Sequence, residues 1–135
     1  MMDIVLQEEK TGCGFAAVAM ISGTSYKEVK KLANSQGIFA ADEKLFTSTD
    51  YVRRLSLGLG VKLSESEIIF TDWKALPNVA LLATKHRIEN GQPRWHWSIY
   101  EKNKNRVLDP ASYLENNKRT DFENIEVEWY IEVKI

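Results

Sequence analysis

The apolar residues in the first half of the chain recur at helical spacing. Residues 15–21 are apolar on nearly every side of a helix that begins near Cys13, and Gly23 lies where that helix should end. A helix that is apolar all round is normally buried on several sides. We therefore expect a central helix inside the domain, with Cys13 in its first turn.

Two amphipathic helices should follow the central one. Ser25 and Glu28 have the spacing of a capping box, which marks the start of a helix. The apolar stripe of that helix consists of Tyr26, Val29, Leu32 and Ala33. Residues 49–57 repeat the helical period, and Gly58 and Gly60 provide a stop. The first half of the chain is thus predicted to be helical.

The second half changes to the period of a β-sheet. Residues 79–83 form a compact apolar run, and residues 95–100 alternate between apolar and polar positions. The polar residues 86–93 lie between these two runs, with Asn90 and Gly91 as a turn signal. This order predicts a hairpin of two strands joined by a long loop.

Two more strands extend the predicted sheet. Residues 106–108 form a strand that stops at Asp109, because Pro110 forces an extended backbone on the residue before it. The last strand begins at residue 125 and alternates strictly. Its apolar face consists of Ile125, Val127, Trp129, Ile131, Val133 and Ile135, and its wet face of Glu126, Glu128, Tyr130, Glu132 and Lys134. Helices followed by antiparallel strands predict an α+β domain in which the helices pack on the sheet.

The size and charge of the chain exclude several kinds of protein. Its 135 residues suit a single domain spanning 1–135. A formal net charge of −1 gives no field that would gather nucleic acid or an anionic membrane. The longest apolar run, residues 15–21, is far shorter than the roughly 20 residues that a membrane span needs. The N-terminus lacks the pattern of a secretory signal, so we expect a cytoplasmic protein, while export without such a signal stays open.

The chain contains a single cysteine, Cys13, and cannot form an internal disulfide. At the start of a helix, a thiol lies beside unpaired backbone N–H groups and the positive end of the helix dipole. With an imidazolium nearby, such a position can lower the pKa of a cysteine from about 8.5 to below neutral. Gly12 and Gly14 are expected to leave open space for a substrate carbonyl. The alternative is a buried structural cysteine, since free cysteine is among the most buried residue types.

Two residues of the predicted sheet have the chemistry to activate that thiol. His96 should point away from the face that carries Trp95 and Trp97, and there it needs a polar partner. Asp109 ends the neighbouring strand, and its carboxylate could accept a hydrogen bond from the imidazole and fix its tautomer. Taken separately, they are an ordinary strand histidine and an ordinary Asp-Pro turn. In the order Cys13, His96, Asp109, they predict a catalytic triad.

A fourth candidate lies in the segment that leads into the central helix. Gln7 precedes Cys13 by six positions, and its side-chain amide could donate a hydrogen bond to a developing oxyanion. The backbone N–H of Cys13 would be the second donor. A lone glutamine in a loop is usually only solvated, so the interest of Gln7 lies in its spacing from the thiol.

These motifs together resemble the papain-like clan of cysteine peptidases. Within that clan, the chain is most similar to the double-glycine leader peptidases that process bacteriocin precursors, and to their stand-alone relatives. The motifs are Gln7 with Cys13-Gly14, the small-residue helix behind them, the strand at 96–99 and the segment at 107–110. The resemblance covers roughly residues 7–111. The chain departs from the family at Gly12, where members often have an acidic residue ahead of Cys-Gly.

The resemblance implies a role for each candidate. Cys13 would be the nucleophile, His96 the general base, Asp109 the orienting carboxylate and Gln7 the oxyanion donor. It also implies a papain-like fold with the nucleophile on the central helix, and a peptide or protein substrate that is cleaved without metal or organic cofactor. The chemistry would be attack of the Cys13 thiolate on an amide carbonyl, followed by hydrolysis of the acyl-enzyme.

Three other interpretations stay open. The same fold and residues could transfer the acyl group to an amine, as transglutaminases and arylamine acyltransferases do. A catalytically inert domain could bind a peptide in a groove lined by the long loop and the neighbouring aromatic side chains. A zinc site formed by Cys13, His86 and His96 is the weakest of the three, because the chain contains neither a CxxC nor an HxxxH pair.

Overall fold

The three predicted helices are present in the computed structural model, which describes residues 2–89 and 91–134, with the backbone alone at positions 46, 47, 86, 87 and 92. They are α1 (Cys13–Ser22), α2 (Tyr26–Ser35) and α3 (Asp50–Gly58). The predicted cap is also confirmed, since the Ser25 side chain accepts a hydrogen bond from the Glu28 N–H at 3.1 Å. Gly58 belongs to α3 itself, and Gly60, with φ of 81°, is the left-handed residue after it.

The strands of the described chain form an antiparallel sheet beside these helices, which makes the domain α+β as predicted. They are β1 (Lys62–Leu63), β2 (Ile68–Ile69), β3 (Val79–Glu89), β4 (Gln92–Glu101), β5 (Arg106–Leu108), β6 (Lys118–Arg119) and β7 (Val127–Lys134). Their order across the sheet is β1-β7-β3-β4-β5-β6, and β2 also pairs with β7. The two-residue strands β1, β2 and β6 have no periodicity that a sequence could reveal.

The long loop predicted between β3 and β4 is wrong. Arg87 pairs with Arg94, and Glu89 pairs with Gln92, so the strands continue almost to the turn. Gly91 has φ of 76°, as expected for a tight turn, while Asn90 lies outside the described residues. This end of the hairpin extends beyond the residues that pair with β5 and β7. No other strand of the described residues pairs with the hairpin there, and backbone pairing does not require apolar side chains, so polar residues can continue both strands.

The predicted wet face of β7 is also partly wrong. The pairing of β3 with β7 shifts by one residue between Ala83 and Thr84, which is a β-bulge, and such an insertion exchanges the faces on its two sides. Tyr130 lies on the predicted wet face but is buried there in a second, smaller core, and the bulge brings Val127 to the same core. Its other buried members are Leu76, Ala80, Leu82, Tyr100, Val107 and Ile125. The predicted position of Ile135 lies outside the described residues.

The main core forms around α1. Residues 13–20 of this helix are all buried, as its apolar sequence predicted. The helix packs against α2, α3 and β4, so its first residue lies beside the strand that carries the candidate histidine. From the sheet, Leu81, Trp97, Ile99 and Ile131 complete the same core. Burial of α1 thus brings the start of that helix to β4.

Replacement of Gly14 tests how tightly this helix is packed. A Cβ at Gly14 would overlap the hydroxyl and ring of Tyr51. We expect Gly14→Ala to lower the free energy of unfolding by about 1–3 kcal/mol, the usual cost of overpacking a core. Urea denaturation measures this difference.

Gly58→Ala is the matched control, because Gly58 is also helical and a Cβ there would meet Leu32 Cδ2 at 3.3 Å. Alanine favours a helix over glycine by about 1 kcal/mol, so this change should be neutral or stabilising. Equal destabilisation by the two substitutions would contradict the packing described for Gly14.

Candidate active site

Cys13 lies where the first turn of α1 meets the open edge of β4. The strand β5 pairs with β4 only from Ile99 onward, so no strand of the described residues lies beside the outer edge of β4 before Ile99. The Trp97 N–H points to that edge and donates to Cys13 Sγ at 3.5 Å. Cys13 is only 4% exposed. The sulfur therefore takes the place of the acceptor that a neighbouring strand would have supplied.

The segment before Cys13 is fixed by contacts with α2. The Gly12 N–H donates to the Glu9 carbonyl at 2.9 Å. The Glu9 carboxylate accepts a hydrogen bond from the Tyr26 hydroxyl and forms an ion pair with Lys30. These contacts tie the turn that leads into α1 to the neighbouring helix.

The open space expected beside the two glycines is occupied by tyrosine side chains. The hydroxyl of Tyr26 lies where a side chain at Gly12 would be, and that of Tyr51 lies where a side chain at Gly14 would be. The expectation of room for a substrate carbonyl at these glycines is therefore wrong. Glycine is required on both sides of Cys13 because two rings approach the backbone closely.

His96 and Asp109 form the contact that the sequence predicted. His96 Nε2 lies 2.7 Å from Asp109 Oδ1, and the two side chains are 13% and 2% exposed. The Ala111 N–H donates to Asp109 Oδ1 at 3.1 Å, and Arg119 donates to Asp109 Oδ2 at 3.2 Å. The Asp109 backbone N–H donates to the Asn117 carbonyl at 2.9 Å. A buried carboxylate with this many donors has a fixed position and a fixed charge.

The pKa values of the three residues shift in the directions expected for an ion pair. Burial raises the pKa of the Cys13 thiol, but the hydrogen bond and charge of His96, with the N–H groups of Trp97 and Gly14, outweigh burial and hold it below its usual value. Burial lowers the pKa of His96, yet its hydrogen bonds with Asp109 and Cys13 raise it to about 10.

Asp109 completes the charged set. Burial raises the pKa of its carboxyl group, but the hydrogen bond and charge of His96, followed by the N–H of Ala111 and by Arg119, keep it below the usual value. At neutral pH, Asp109 is thus a carboxylate and His96 an imidazolium, and the lowered pKa of Cys13 favours its thiolate form. Because Nε2 faces Asp109, Nδ1 is the ring nitrogen of His96 that is left to interact with Cys13.

Gln7 lines the same cleft as His96, but its side-chain amide faces its own loop. Gln7 Nε2 donates to the carbonyls of Glu9 and Lys10, both at 3.1 Å, and Gln7 Oε1 is buried without a partner. The Gln7 backbone N–H donates to the Pro110 carbonyl at 2.9 Å, which ties the segment to the turn after β5. The role of Gln7 as oxyanion donor stays a prediction.

An open cleft of about 470 Å³ adjoins these residues. It is lined by Gln7, Glu8, Glu9, Lys10, Lys85, Trp95, His96, Ser112 and Tyr113. His96 and Gln7 reach this cleft, whereas Cys13 is not part of its lining. Cys13 is nearly fully buried, so a carbonyl bound in this cleft would lie closer to His96 than to the sulfur.

Sequence reasoning missed the residues that hold Asp109. Arg119 reaches the carboxylate because β6 pairs with β5, with Val107 opposite Arg119. The Asn117 side chain donates to the carbonyls of Asp109 and Ala111 at 2.7 and 2.8 Å and so fixes the Asp-Pro turn. A strand of two residues leaves no periodic signal, so neither residue could have been found from the sequence.

Within residues 2–89 and 91–134, no group of three or more His, Cys, Asp or Glu side chains could hold a metal ion. The side chain of His86, part of the weak zinc hypothesis, lies outside the described residues. No helix in the same part of the chain is long and apolar enough to cross a membrane. No family model, curated protein or solved structure matches the chain, so the resemblance to leader peptidases stays a prediction.

The ionisation of Cys13 can be measured directly, because iodoacetamide modifies thiolates and the chain has one cysteine. We expect the rate of alkylation against pH to have its midpoint below about 8.5, the value of an ordinary thiol. In His96→Ala, the hydrogen bond and the positive charge are lost while burial remains. The midpoint should therefore rise to 8.5 or above.

The same protein unfolded in urea is the control for this titration, since its thiol should titrate near 8.5. A folded parent with that same midpoint would contradict the thiolate–imidazolium pair. Mass spectrometry of the intact chain counts the modified fraction at each pH.

Proposed function

We propose that this protein is a cysteine peptidase or amide hydrolase with a papain-like arrangement of its site. The observation that carries the proposal is the single chain of contacts from Cys13 to His96 to Asp109. The thiol is at the start of a buried helix, the imidazole is on β4, and the carboxylate is on the residue that follows the neighbouring strand β5. A packing cysteine needs neither an imidazole partner nor a lowered pKa, so the contacts favour a nucleophile over a structural thiol.

The proposed reaction begins with attack of the Cys13 thiolate on an amide carbonyl carbon. A C–S bond forms, and the electron pair of the carbonyl moves to its oxygen. As the tetrahedral intermediate collapses, the C–N bond breaks, and His96 gives its Nδ1 proton to the leaving amine. Neutral His96 then takes a proton from water, the resulting hydroxide attacks the thioester, and the thiolate is released with the acid product.

Asp109 assists this reaction without changing its own protonation. Its Oδ1 holds the Nε2–H of His96, so the ring keeps Nδ1 directed at the sulfur in both protonation states. Arg119 and the Ala111 N–H keep the carboxylate in place and charged. Because these two donors hold the Asp109 carboxylate beside His96, the carboxylate also stabilises the imidazolium. The leaving amine receives its proton from that imidazolium.

The oxyanion would be held by backbone N–H groups at the start of α1 and by Gln7 after its amide turns toward the cleft. That turn breaks the two hydrogen bonds of Gln7 Nε2 with its own loop. It also releases Gln7 Oε1 from a buried position without a partner, a state that costs about 1–3 kcal/mol. The free energy gained by releasing Oε1 offsets part of the free energy lost with the two hydrogen bonds. Substrate binding needs to supply only the remaining free energy.

Two observations favour a second candidate, an inert domain of the same arrangement that binds a peptide. Cys13 does not line the cleft, and the Gln7 amide is directed away from it. In that case the cleft would bind an extended segment through Trp95 and Tyr113 without any chemistry. Acyl transfer to an amine would use the same thioester and differs only in the group that accepts the acyl chain.

Substitution separates these candidates. Incubation of the protein with a mixed peptide library that includes Gly-Gly sites, followed by mass spectrometry, should reveal cleaved products. Cys13→Ala should abolish cleavage, because no other group can form the thioester, and should leave the unfolding transition near that of the parent. Asp109→Asn should slow cleavage by less than Cys13→Ala does, because His96 would keep its contact with the thiol.

The products distinguish hydrolysis from its alternatives. A product mass increased by an added amine would indicate acyl transfer, and bound but intact peptide would indicate the inert domain. Cleavage that persists in Cys13→Ala would exclude this site as its origin. Loss of the fold in Cys13→Ala would instead assign the thiol a packing role.

A further inference from the structure

The Asp109 carboxylate divides its two oxygens between two charged neighbours. Oδ1 lies 2.7 Å from His96 Nε2, and Oδ2 accepts a hydrogen bond from Arg119 Nη1 at 3.2 Å. Arg119 in turn donates from Nε and Nη2 to the two carboxylate oxygens of Asp121, at 3.0 and 2.8 Å. The contacts of the site therefore continue beyond the three catalytic candidates, through Arg119 to Asp121.

The Arg119 guanidinium gives its paired donors to Asp121 and a single donor to Asp109. Two parallel N–H···O bonds between arginine and a carboxylate are stronger and more directional than one. The hydrogen bonds with Arg119 lower the pKa of Asp121 to about 2, and the hydrogen bond with Asp121 is the largest cause that raises the pKa of Arg119. Both groups are charged at neutral pH, and Asp121 determines which way the guanidinium faces.

The backbone around this pair is fixed. Arg119 lies on β6, which pairs with β5. Asp121 precedes a short turn in which the Asn124 N–H donates to the Asp121 carbonyl at 2.9 Å. The next residue, Phe122, packs edge-on against Trp73 with ring centroids 4.7 Å apart, and both rings pack against the second core. The carboxylate that holds Arg119 is thus anchored outside the catalytic residues.

A different pose of Arg119 would weaken the contact between Asp109 and His96. If the paired donors turned to Asp109, they would engage both of its oxygens, and His96 would have to share Oδ1 with the guanidinium. The positive charge of Arg119, no longer balanced by Asp121, would also reduce the attraction of Asp109 for the imidazolium. Both changes would make the charged form of His96 less stable.

We propose that Asp121 is a positioning residue of this site. By holding the paired donors of Arg119, it limits Arg119 to one hydrogen bond with Asp109 Oδ2 and leaves Oδ1 to His96. Asp121 acts through Arg119 and Asp109 and not on the reacting groups themselves. The inference rests on the proposed function, because the strength of the Asp109–His96 contact matters to the reaction only if the imidazole serves Cys13.

Asp121→Asn tests the inference, because it removes the charge and one acceptor oxygen and keeps the size of the side chain. NMR of ring-labelled histidine follows His96, whose signal is the one of two that His96→Ala removes. We expect the pKa of His96 to fall by about one pH unit, a tenfold change in its protonation equilibrium. The midpoint of Cys13 alkylation should rise by about half a pH unit, roughly threefold, because a weaker imidazolium stabilises the thiolate less.

The opposite directions of these two shifts are the decisive result. A carboxylate that acted only through space would lower both pKa values when removed, since its loss disfavours a cation and favours an anion. A fall in both values, or an unchanged His96, would overturn the inference. Asp121→Glu keeps the carboxylate and should restore both titrations toward the parent, and shifts as large as those of Asp121→Asn would contradict a role for the charge.

A double-variant cycle tests the route through Arg119. In an Arg119→Gln background, Asp121→Asn should cause no further shift of His96 or Cys13, because the connecting side chain is gone. A further shift of the same size as in the parent would overturn the proposed route. Urea denaturation of each variant confirms that the titrated protein is folded.

Glu101→Gln is the matched control, since Glu101 also accepts from an arginine Nε, that of Arg106, at 2.8 Å. Its side chain is 5% exposed, against 41% for Asp121, so its loss should lower stability more and leave both titrations in place. Shifts like those of Asp121→Asn would indicate general loosening and overturn the inference.

The same measurements separate this failure from failure of the proposed function. A parent alkylation midpoint near 8.5 would remove the Cys13–His96 pair, and the proposed function would fail with it. A low parent midpoint with titrations that Asp121→Asn leaves unchanged would remove Asp121 alone, while the contacts of Cys13, His96 and Asp109 would stand.

Discussion

The site depends on the short pairing between β4 and β5. Because β5 covers β4 only from Ile99 onward, the edge of β4 at Trp97 is open, and the first turn of α1 fills it. That single geometric fact brings Cys13 to the strand that carries His96. It also puts Asp109, the residue after β5, beside His96. A longer β5 would displace α1 from this edge and separate the sulfur from the imidazole.

Burial and electrostatics reinforce each other at this junction. Burial of charged groups costs free energy, and here each charge has a partner: Cys13 faces His96, His96 faces Asp109, and Asp109 faces Arg119. Because water is largely excluded, each of these attractions is stronger than it would be at the surface. Burial therefore raises the pKa of Cys13 by removing water and also strengthens the interactions with His96 that lower this pKa. The interactions outweigh the loss of water, and the pKa of Cys13 is lowered.

Sequence reasoning found the parts of this site that leave a local pattern. The all-apolar helix behind Cys13 and the alternation around His96 were sufficient to predict the elements, and Pro110 marked the position of Asp109. It failed where the structure depends on pairing between distant segments. The bulge that brings Val127 to the second core and the two-residue strand that carries Arg119 have no periodicity. The direction of the Gln7 amide depends on loop carbonyls that a linear pattern does not specify.

Access to the sulfur follows from the same packing. The cleft reaches His96 and Gln7, whereas Cys13 is not among its lining residues. Cys13 is nearly fully buried, so a ligand in the cleft meets the imidazole before the sulfur. Gln7 lies in the lining with its amide acceptor unpaired and its backbone anchored to Pro110. Its side chain can change direction at the cost of two hydrogen bonds with its own loop, and the contact between His96 and Asp109 does not depend on it.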